Sequence, residues 1–295
     1  MTTPASQRGS LLVEDVEVIS LTRYPGEQYR LQLRSPGCAA RATAGSFVHL
    51  QCDQSLPLRR PLSIMRADRE AGSIEILFKV VGEGLKALAD KKTGDRLSSI
   101  GPIGHGFEPS PERQRPLLIG GGVGIPPMIF LAESLHDDAR KWYPQVIMGS
   151  EIPFPFESMQ TSKTADWLPD GVTATMPLLE SWGIPCTLAS GEDFTGTYRG
   201  LVTDVAETYL SSLDDKALAE TEIFSCGPTP MLKAVAAVAK RYELPCQVSL
   251  EEYMACGVGG CAGCTVLVQT DDGPAMKRVC VDGPVFHAKD VFGPQ

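Results

Sequence analysis

Pro116-Leu117-Leu118-Ile119-Gly120-Gly121-Gly122-Val123-Gly124-Ile125-Pro126-Pro127, followed by Met128, Leu131 and Leu135, is the stretch on which the fold turns. Its apolar opening reads as a buried strand, its glycines as a turn, and its prolines as the first turn of a helix whose apolar residues recur at i, i+3 and i+7. A glycine turn between strand and helix lets a pyrophosphate approach backbone N–H groups and the positive helix end. An isolated glycine cluster can equally be a tight packing turn. Further along, Gln145 to Met148 and Cys186 to Leu188 read as strands, and Ile223-Phe224 runs into a second loop, Ser225-Cys226-Gly227-Pro228. Met231, Val235 and Val238 then share one helix face. This alternation predicts a doubly wound parallel sheet, with ligands at the carboxyl ends of its strands, where both glycine motifs lie.

Before Arg115 the period is different. Tyr29, Leu31 and Leu33 alternate with polar neighbours, Phe47-Val48-His49-Leu50 is a short apolar run, and Ile74, Ile76, Phe78 and Val80 hold period two across Ser73 to Val81. Ser35-Pro36-Gly37 and Gly101-Pro102 punctuate these runs. Short strands between turns predict a closed antiparallel barrel.

After the α/β segment, Cys256-Gly-Val-Gly-Gly-Cys261-Ala-Gly-Cys264 is followed, after fifteen intervening residues, by Cys280. This is the plant-type 2Fe–2S spacing. Gly257, Gly259, Gly260 and Gly263 permit the positive φ angles and close approach that such a loop needs, so that amides can face the cluster sulfurs. A four-cysteine zinc site would use the same ligands, but its usual signature is two short pairs, not a triplet and a distant fourth. Disulfides fit poorly: nine cysteines is an odd count, and the polar stretch Met1 to Leu12 has no secretory character. A reducing compartment, by default the cytoplasm, is expected. Cys38, Cys52, Cys186 and Cys246 lie in no ligand pattern and read as small buried hydrophobes.

The 295 residues suffice for two cores and an appendage, and no apolar run approaches the ~20 residues of a membrane span. With 36 acidic against 27 basic side chains, the chain offers no polycation for a phosphate backbone, which argues against nucleic acid.

Arg60-Pro61-Leu62-Ser63, Gly82-Glu83-Gly84, Gly101-Pro102-Ile103-Gly104, Gly120 to Gly124 and Cys226-Gly227-Pro228, in that order, resemble the ferredoxin–NADP reductase superfamily over nearly the whole chain. Adding the cysteine loop, introduced by Ser249-Leu250-Glu251-Glu252-Tyr253-Met254-Ala255, narrows the resemblance to the electron-transfer subunits of type B dihydroorotate dehydrogenases. The resemblance implies FAD on the barrel. Arg60 would pair with an FAD phosphate, whereas its bland reading is a solvated surface charge; Ser63 with the adjacent backbone of Pro61 and Leu62 would hydrogen-bond the flavin ring. Leu77-Phe78-Lys79 and Gly84-Leu85 would lie against the flavin and its phosphates. Leu85 departs from the pattern, since a hydroxyl residue commonly follows that glycine. Gly120, Gly121, Gly122 and Gly124, with Gly227 and Pro228, would hold the phosphates of the nicotinamide dinucleotide. Cys226 would occupy the catalytic position beside flavin and nicotinamide, where hydride passes without a protein acid or base. His105 reads as a loop residue. Gly149-Ser150-Glu151, with no nearby Arg, suits the free ribose hydroxyl of NAD better than the phosphate of NADP.

The expected organisation is mixed: an FAD-binding antiparallel β-barrel over 1–110, an NAD-binding α/β domain over 111–245 and a 2Fe–2S domain over 246–295. The resemblance implies a separate FMN-containing catalytic subunit that oxidises dihydroorotate, with electrons passing through the cluster and FAD to NAD in pyrimidine synthesis, in a heterotetramer. Two rivals stand beside it. One is the small subunit of another flavin/iron–sulfur oxidoreductase, either a bifurcating ferredoxin–NADP oxidoreductase or a sulfide dehydrogenase. The other is a redox-sensing binding protein. Ile152-Pro153-Phe154-Pro155-Phe156 has no assignment and reads as a surface loop or a partner contact.

Overall fold

A computed structural model describes residues 11–163 and 165–293. The first ten residues of the Met1 to Leu12 stretch therefore lie outside the described residues.

In the first third, β1 (Leu12–Tyr24), β2 (Gln28–Arg34), β3 (Phe47–Gln51), β4 (Arg60–Asp68), β5 (Ser73–Lys79) and β6 (Arg96–Ile103) close into a barrel of order β1-β2-β5-β4-β3-β6, with α1 (Pro36–Arg41) and α2 (Glu83–Ala89) between strands. All six pairings are antiparallel. Period-two alternation sends Val16, Val18, Leu31, Leu33, Val48, Leu50, Ile64, Ile74 and Ile76 into the interior, where none is exposed. Closure leaves no strand edge unpaired.

The second part is built on β7 (Arg115–Gly121), α3 (Ile125–His136), β8 (Gln145–Gly149), a small hairpin of β9 (Met159–Gln160) and β10 (Ala174–Thr175), α4 (Pro177–Ser181), β11 (Cys186–Ser190), β12 (Tyr198–Arg199), α5 (Val202–Ser211), α6 (Asp215–Ala219), β13 (Thr221–Cys226), α7 (Thr229–Arg241) and β14 (Cys246–Ser249). The chain then continues through the hairpin β15 (Thr265–Thr270) and β16 (Gly273–Arg278), α8 (Val279–Asp282), β17 (Val285–His287) and α9 (Ala288–Phe292). The main sheet runs β12-β11-β8-β7-β13-β14-β17 and is parallel except for β17. From β7 the chain winds outward through β8 and β11 to β12 and then returns to β13 on the other side of β7. The glycine loops after β7 and β13 thus sit at the switch point of the winding. Among the described residues no helix is long and apolar enough to cross a membrane.

The α/β sheet does not end at residue 245, where the expected boundary falls. β14 pairs with β13 from Ile223↔Cys246 to Cys226↔Ser249, and β17 pairs antiparallel with β14. The cysteine loop and its hairpin are therefore an excursion between two sheet strands, and the sheet itself holds their ends.

The Ile152–Phe156 stretch ties the first two parts together. Phe154 is buried against Phe156 and Phe194, at centroid distances of 5.5 and 6.5 Å, and Gln28 Nε2 donates to the Pro153 carbonyl at 2.8 Å. A second tie joins β4 to α3, where Arg66 Nε donates to Glu133 Oε1 at 2.9 Å. His105 is a loop residue that donates its main-chain N–H to the Gly283 carbonyl at 2.7 Å.

Candidate functional site

A cleft of about 280 Å³ opens where the barrel meets the carboxyl ends of β7 and β13. Strand β4 contributes Pro61, Leu62 and Ser63 to it, β5 contributes Leu77, Phe78 and Lys79, and α2 contributes Leu85. Gly124, Cys226 and Gly227 line the opposite wall. Residues distant in sequence are thus brought to one cavity, half apolar barrel and half glycine loop.

The adjacent arginines behave differently. Arg59 reaches over to β6, donating to the Ser98 carbonyl at 2.5 Å and to Ser98 Oγ at 2.8 Å. Arg60 bonds only the carbonyls of Leu58 and Arg59, at 2.9 and 3.2 Å, and among the described residues it makes no ion pair. Gly84 is small because of this arginine: a Cβ there would lie 2.9 Å from Arg60 Cζ. The guanidinium keeps donors free for an anion beside the cleft, which fits a dinucleotide phosphate. Leu85 presents a buried apolar side chain and no hydroxyl.

The glycine loop splits by role. A Cβ on Gly120 would lie 3.0 Å from Ile125 Cα, and one on Gly124 would overlap the Cys226 carbonyl. A Cβ on Gly121 or Gly227 would collide with Met231, and Pro228 caps α7 beside them. These positions let the two loops interlock. Gly122 alone combines φ +54° with open space where a side chain would be.

Cys226 is buried, and burial pushes its thiol up to about 12 against the Ser249 hydroxyl and the Gly227 N–H. It is a neutral, small wall to the cleft rather than a nucleophile. Below it stands Glu251, a residue the sequence reading passed over as part of the Ser249–Ala255 lead-in. Glu251 is reached by solvent through the mouth of the cleft, yet the surrounding protein desolvates its carboxyl and, with Glu252 adjacent, raises its pKa. The doubled acid just after a sheet strand was the available signal.

The four loop cysteines come together two by two. Cys264 Sγ lies 3.4 Å from Cys280 Sγ, close to the roughly 3.8 Å between thiolates on one tetrahedral metal with metal–sulfur bonds of about 2.3 Å. At the outer pair, Val258 N–H points at Cys256 Sγ and Gly263 N–H at Cys261 Sγ, each at 3.4 Å. Burial opposes the Cys256 thiolate, but the N–H groups of Val258, Cys261 and Gly260 outweigh it and bring the thiol down to about 7. Burial and the neighbouring Cys264 push Cys280 up to about 12, so Cys280 must release its proton to take up metal. Gly257 and Gly259, at φ +67° and +80°, make the curl possible. Among the described residues no three donors converge on one point. Two thiol pairs with amides aimed at sulfur fit a two-iron cluster.

The iron–sulfur cluster binding domain of dihydroorotate dehydrogenase B matches residues 251–292. The electron transfer subunit of dihydroorotate dehydrogenase B (NAD(+)) from Caldanaerobacter subterraneus subsp. tengcongensis is 35% identical, over 93% of this chain and 96% of its own length. The corresponding subunit from Geobacillus thermodenitrificans is 33% identical over 94% and 98%. The chain belongs to this family of electron transfer subunits. Among solved structures, an NADH-dependent reduced ferredoxin–NADP oxidoreductase studied for electron bifurcation superposes with a TM-score of 0.74 at 25% identity, covering 93% of this chain and 88% of that one. The ferredoxin reductase of carbazole 1,9a-dioxygenase shares the fold, with a TM-score of 0.60 at 22% identity over 80% and 67%.

The other cysteines are core residues, as their lack of spacing suggested. Cys38, Cys52, Cys186 and Cys246 are buried, and burial raises their thiols to about 12, 11, 12 and 12.

Proposed function

We propose that this chain is the NAD-linked arm of a dihydroorotate dehydrogenase, working in the cytoplasm with an FMN-containing catalytic subunit in a heterotetramer. The observation that carries the proposal is the adjacency of the two sites: the cleft and the cysteine loop meet at one strand, β3, whose Phe47 lines the cleft and shares a buried cluster with Cys264 and Cys280. When bound, FAD would exchange hydride with a nicotinamide and single electrons with a 2Fe–2S cluster.

The residues of this chain hold and shield those groups. Arg60 supplies cationic donors for the FAD phosphates, while Pro61, Leu62, Ser63, Leu77, Phe78 and Lys79 form the bed for the ring. Gly122 opens the loop that would receive the phosphates of NAD, and Gly120, Gly121, Gly124, Gly227 and Pro228 keep that loop and its neighbour close enough to share them. Cys226 holds a neutral thiol where hydride would pass, and desolvation disfavours a charge on Glu251 beside it. Cys256, Cys261, Cys264 and Cys280 are the cluster ligands. The outer side of the loop faces solvent, with Cys261 exposed and Val258 and Tyr253 exposed by 44% and 94%. An electron-donating partner can approach the cluster there. No phosphate-binding arginine is needed if the dinucleotide is NAD, and Ser150 and Ser190 tie the ends of β8 and β11 together, with Ser190 Oγ donating to the Ser150 carbonyl at 2.7 Å.

The likeness to the bifurcating oxidoreductase supports a second reading, in which the partner is the large subunit of such an enzyme. The named relatives at 31–35% identity favour the first. The lone chain is expected to carry FAD and iron, to oxidise NADH with an artificial dye and to leave dihydroorotate untouched. Adding an FMN-containing dihydroorotate dehydrogenase subunit should restore dihydroorotate-dependent NAD reduction, and stripping the cluster should abolish that coupled activity while sparing the dye reaction. Reduction of the lone chain by dihydroorotate would sink the proposal.

A further inference from the structure

Strand β3 turns one face to the barrel core and the other toward the cysteine loop, and the two faces have different tasks. Val48 and Leu50 are fully buried in the barrel core. Phe47 and His49 point the other way, by the alternation of a strand. Phe47 packs with Cys264, Val279 and Cys280, beneath one thiol pair. His49 lies beneath the other: a Cβ on Gly257 would sit 2.7 Å from His49 Nδ1, one residue from Cys256. Across the ladder, Phe47 is opposite Ser63 and His49 opposite Pro61, both in the segment that beds the flavin.

His49 is 0% exposed, and among the described residues neither ring nitrogen has a hydrogen-bond partner of good geometry. Main-chain groups of Cys256, Met254 and Arg59 nevertheless stand close to the ring, and their effect on it is that of acceptors, hence carbonyls. A buried imidazole with idle nitrogens is unfavourable unless a small shift of the facing loop engages it. The facing loop is the one that the cluster would draw together. Gly257, at φ +67°, leaves room there for the ring, which any larger residue would meet.

We propose that His49 is a positioning residue for electron transfer, donating a ring N–H to the main chain that carries Cys256 and so holding the cluster loop against the flavin-bearing strands. The inference rests on the reading of the cysteine loop and the cleft given above. A donor directed at the ligand-bearing backbone stabilises the extra negative charge of a reduced cluster and raises its potential, as outer-shell hydrogen bonds do at other metal sites. A side chain that merely fills the space would not.

The test is a pair of variants of the full chain, loaded with FAD and cluster. His49→Leu keeps an apolar body without a donor, and His49→Gln restores a donor. With iron, sulfide and FAD contents at parental levels, His49→Leu should lower the cluster potential by at least a threefold change in the reduced-to-oxidised ratio, about 28 mV at 59 mV per tenfold for one electron. His49→Gln should recover most of that shift. An unchanged potential and an unchanged EPR line shape in His49→Leu would make His49 a space-filler. Should His49→Leu fail to accumulate, the parent itself decides the matter: with histidine-selective 15N labelling, pulsed EPR of the reduced cluster should show a weak histidine-nitrogen coupling that His49→Gln removes, and no such coupling overturns the proposal. A parent lacking any 2Fe–2S EPR signal would defeat the underlying reading instead.

Discussion

Replacing Arg60 by alanine should weaken FAD binding without unfolding the barrel. Its guanidinium is half-buried, bonds only the carbonyls of Leu58 and Arg59, and is matched by the missing side chain at Gly84. Both carbonyls belong to the exposed approach to β4, where water can replace the lost donor. What the variant loses is a charge-assisted hydrogen bond to phosphate, worth about 1.5–3 kcal/mol. At about 1.4 kcal/mol per tenfold, the Kd for FAD should rise roughly 10- to 150-fold. Arg59→Ala is the control. It strips the half-buried Ser98 carbonyl and hydroxyl on β6 of their partner and should lower the urea midpoint of the apoprotein more than Arg60→Ala does. Fluorescence titration of the apoproteins with FAD measures the first effect and urea denaturation the second. If Arg60→Ala binds FAD within about threefold of the parent, the guanidinium is a surface charge and the phosphate assignment is wrong.

Serine at Cys256, Cys261, Cys264 or Cys280 should each remove or cripple the cluster, read as iron and sulfide content and visible absorbance, whereas Cys186→Ser, at the start of β11 in the α/β sheet, should leave it intact; full cluster in the Cys261 variant, or zinc in the parent, contradicts the ligand set. Glu251→Gln should change how stability responds to pH. The folded pKa of Glu251 lies above the ordinary value of about 4.3, so its contribution to stability is complete below that value and is lost as pH rises through the raised one. Glutamine lacks that loss, so the urea midpoint of the variant should gain on the parent from about pH 4 upward and then level off. A difference that is flat or shrinks with pH would show that the carboxyl is not desolvated.

Much of this molecule is legible one segment at a time. The strand, glycine turn and helix from Pro116 to Leu135 follow from local apolar period and from where proline and glycine are tolerated, and β7, its short turn and α3 appear at those residues. The cysteine spacing is likewise local, since the curl that joins Cys256 to Cys264 depends on glycines within the same nine residues. Period two placed β2 and β5, although the run Phe47 to Leu50 concealed two faces with different neighbours.

What only the tertiary structure decided concerns partners far apart in the chain. Nothing in Arg59-Arg60 tells which guanidinium turns to Ser98 and which stays free, because the choice is made by β6, on the far side of β3 from β4. The same holds for Glu251, an unremarked acid until β14 carries it to Cys226, and for His49, whose meaning comes from a loop that reaches it only after the whole α/β sheet has formed. The continuation of the sheet past residue 245 has the same cause: pairing of β14 with β13 and of β17 with β14 is settled by register and burial between strands, which composition along the chain does not record. Backbone conformation and periodicity are properties of neighbouring residues and are written in order; a shared wall between two redox sites is a property of strand pairing and exists only once the sheet and barrel have closed.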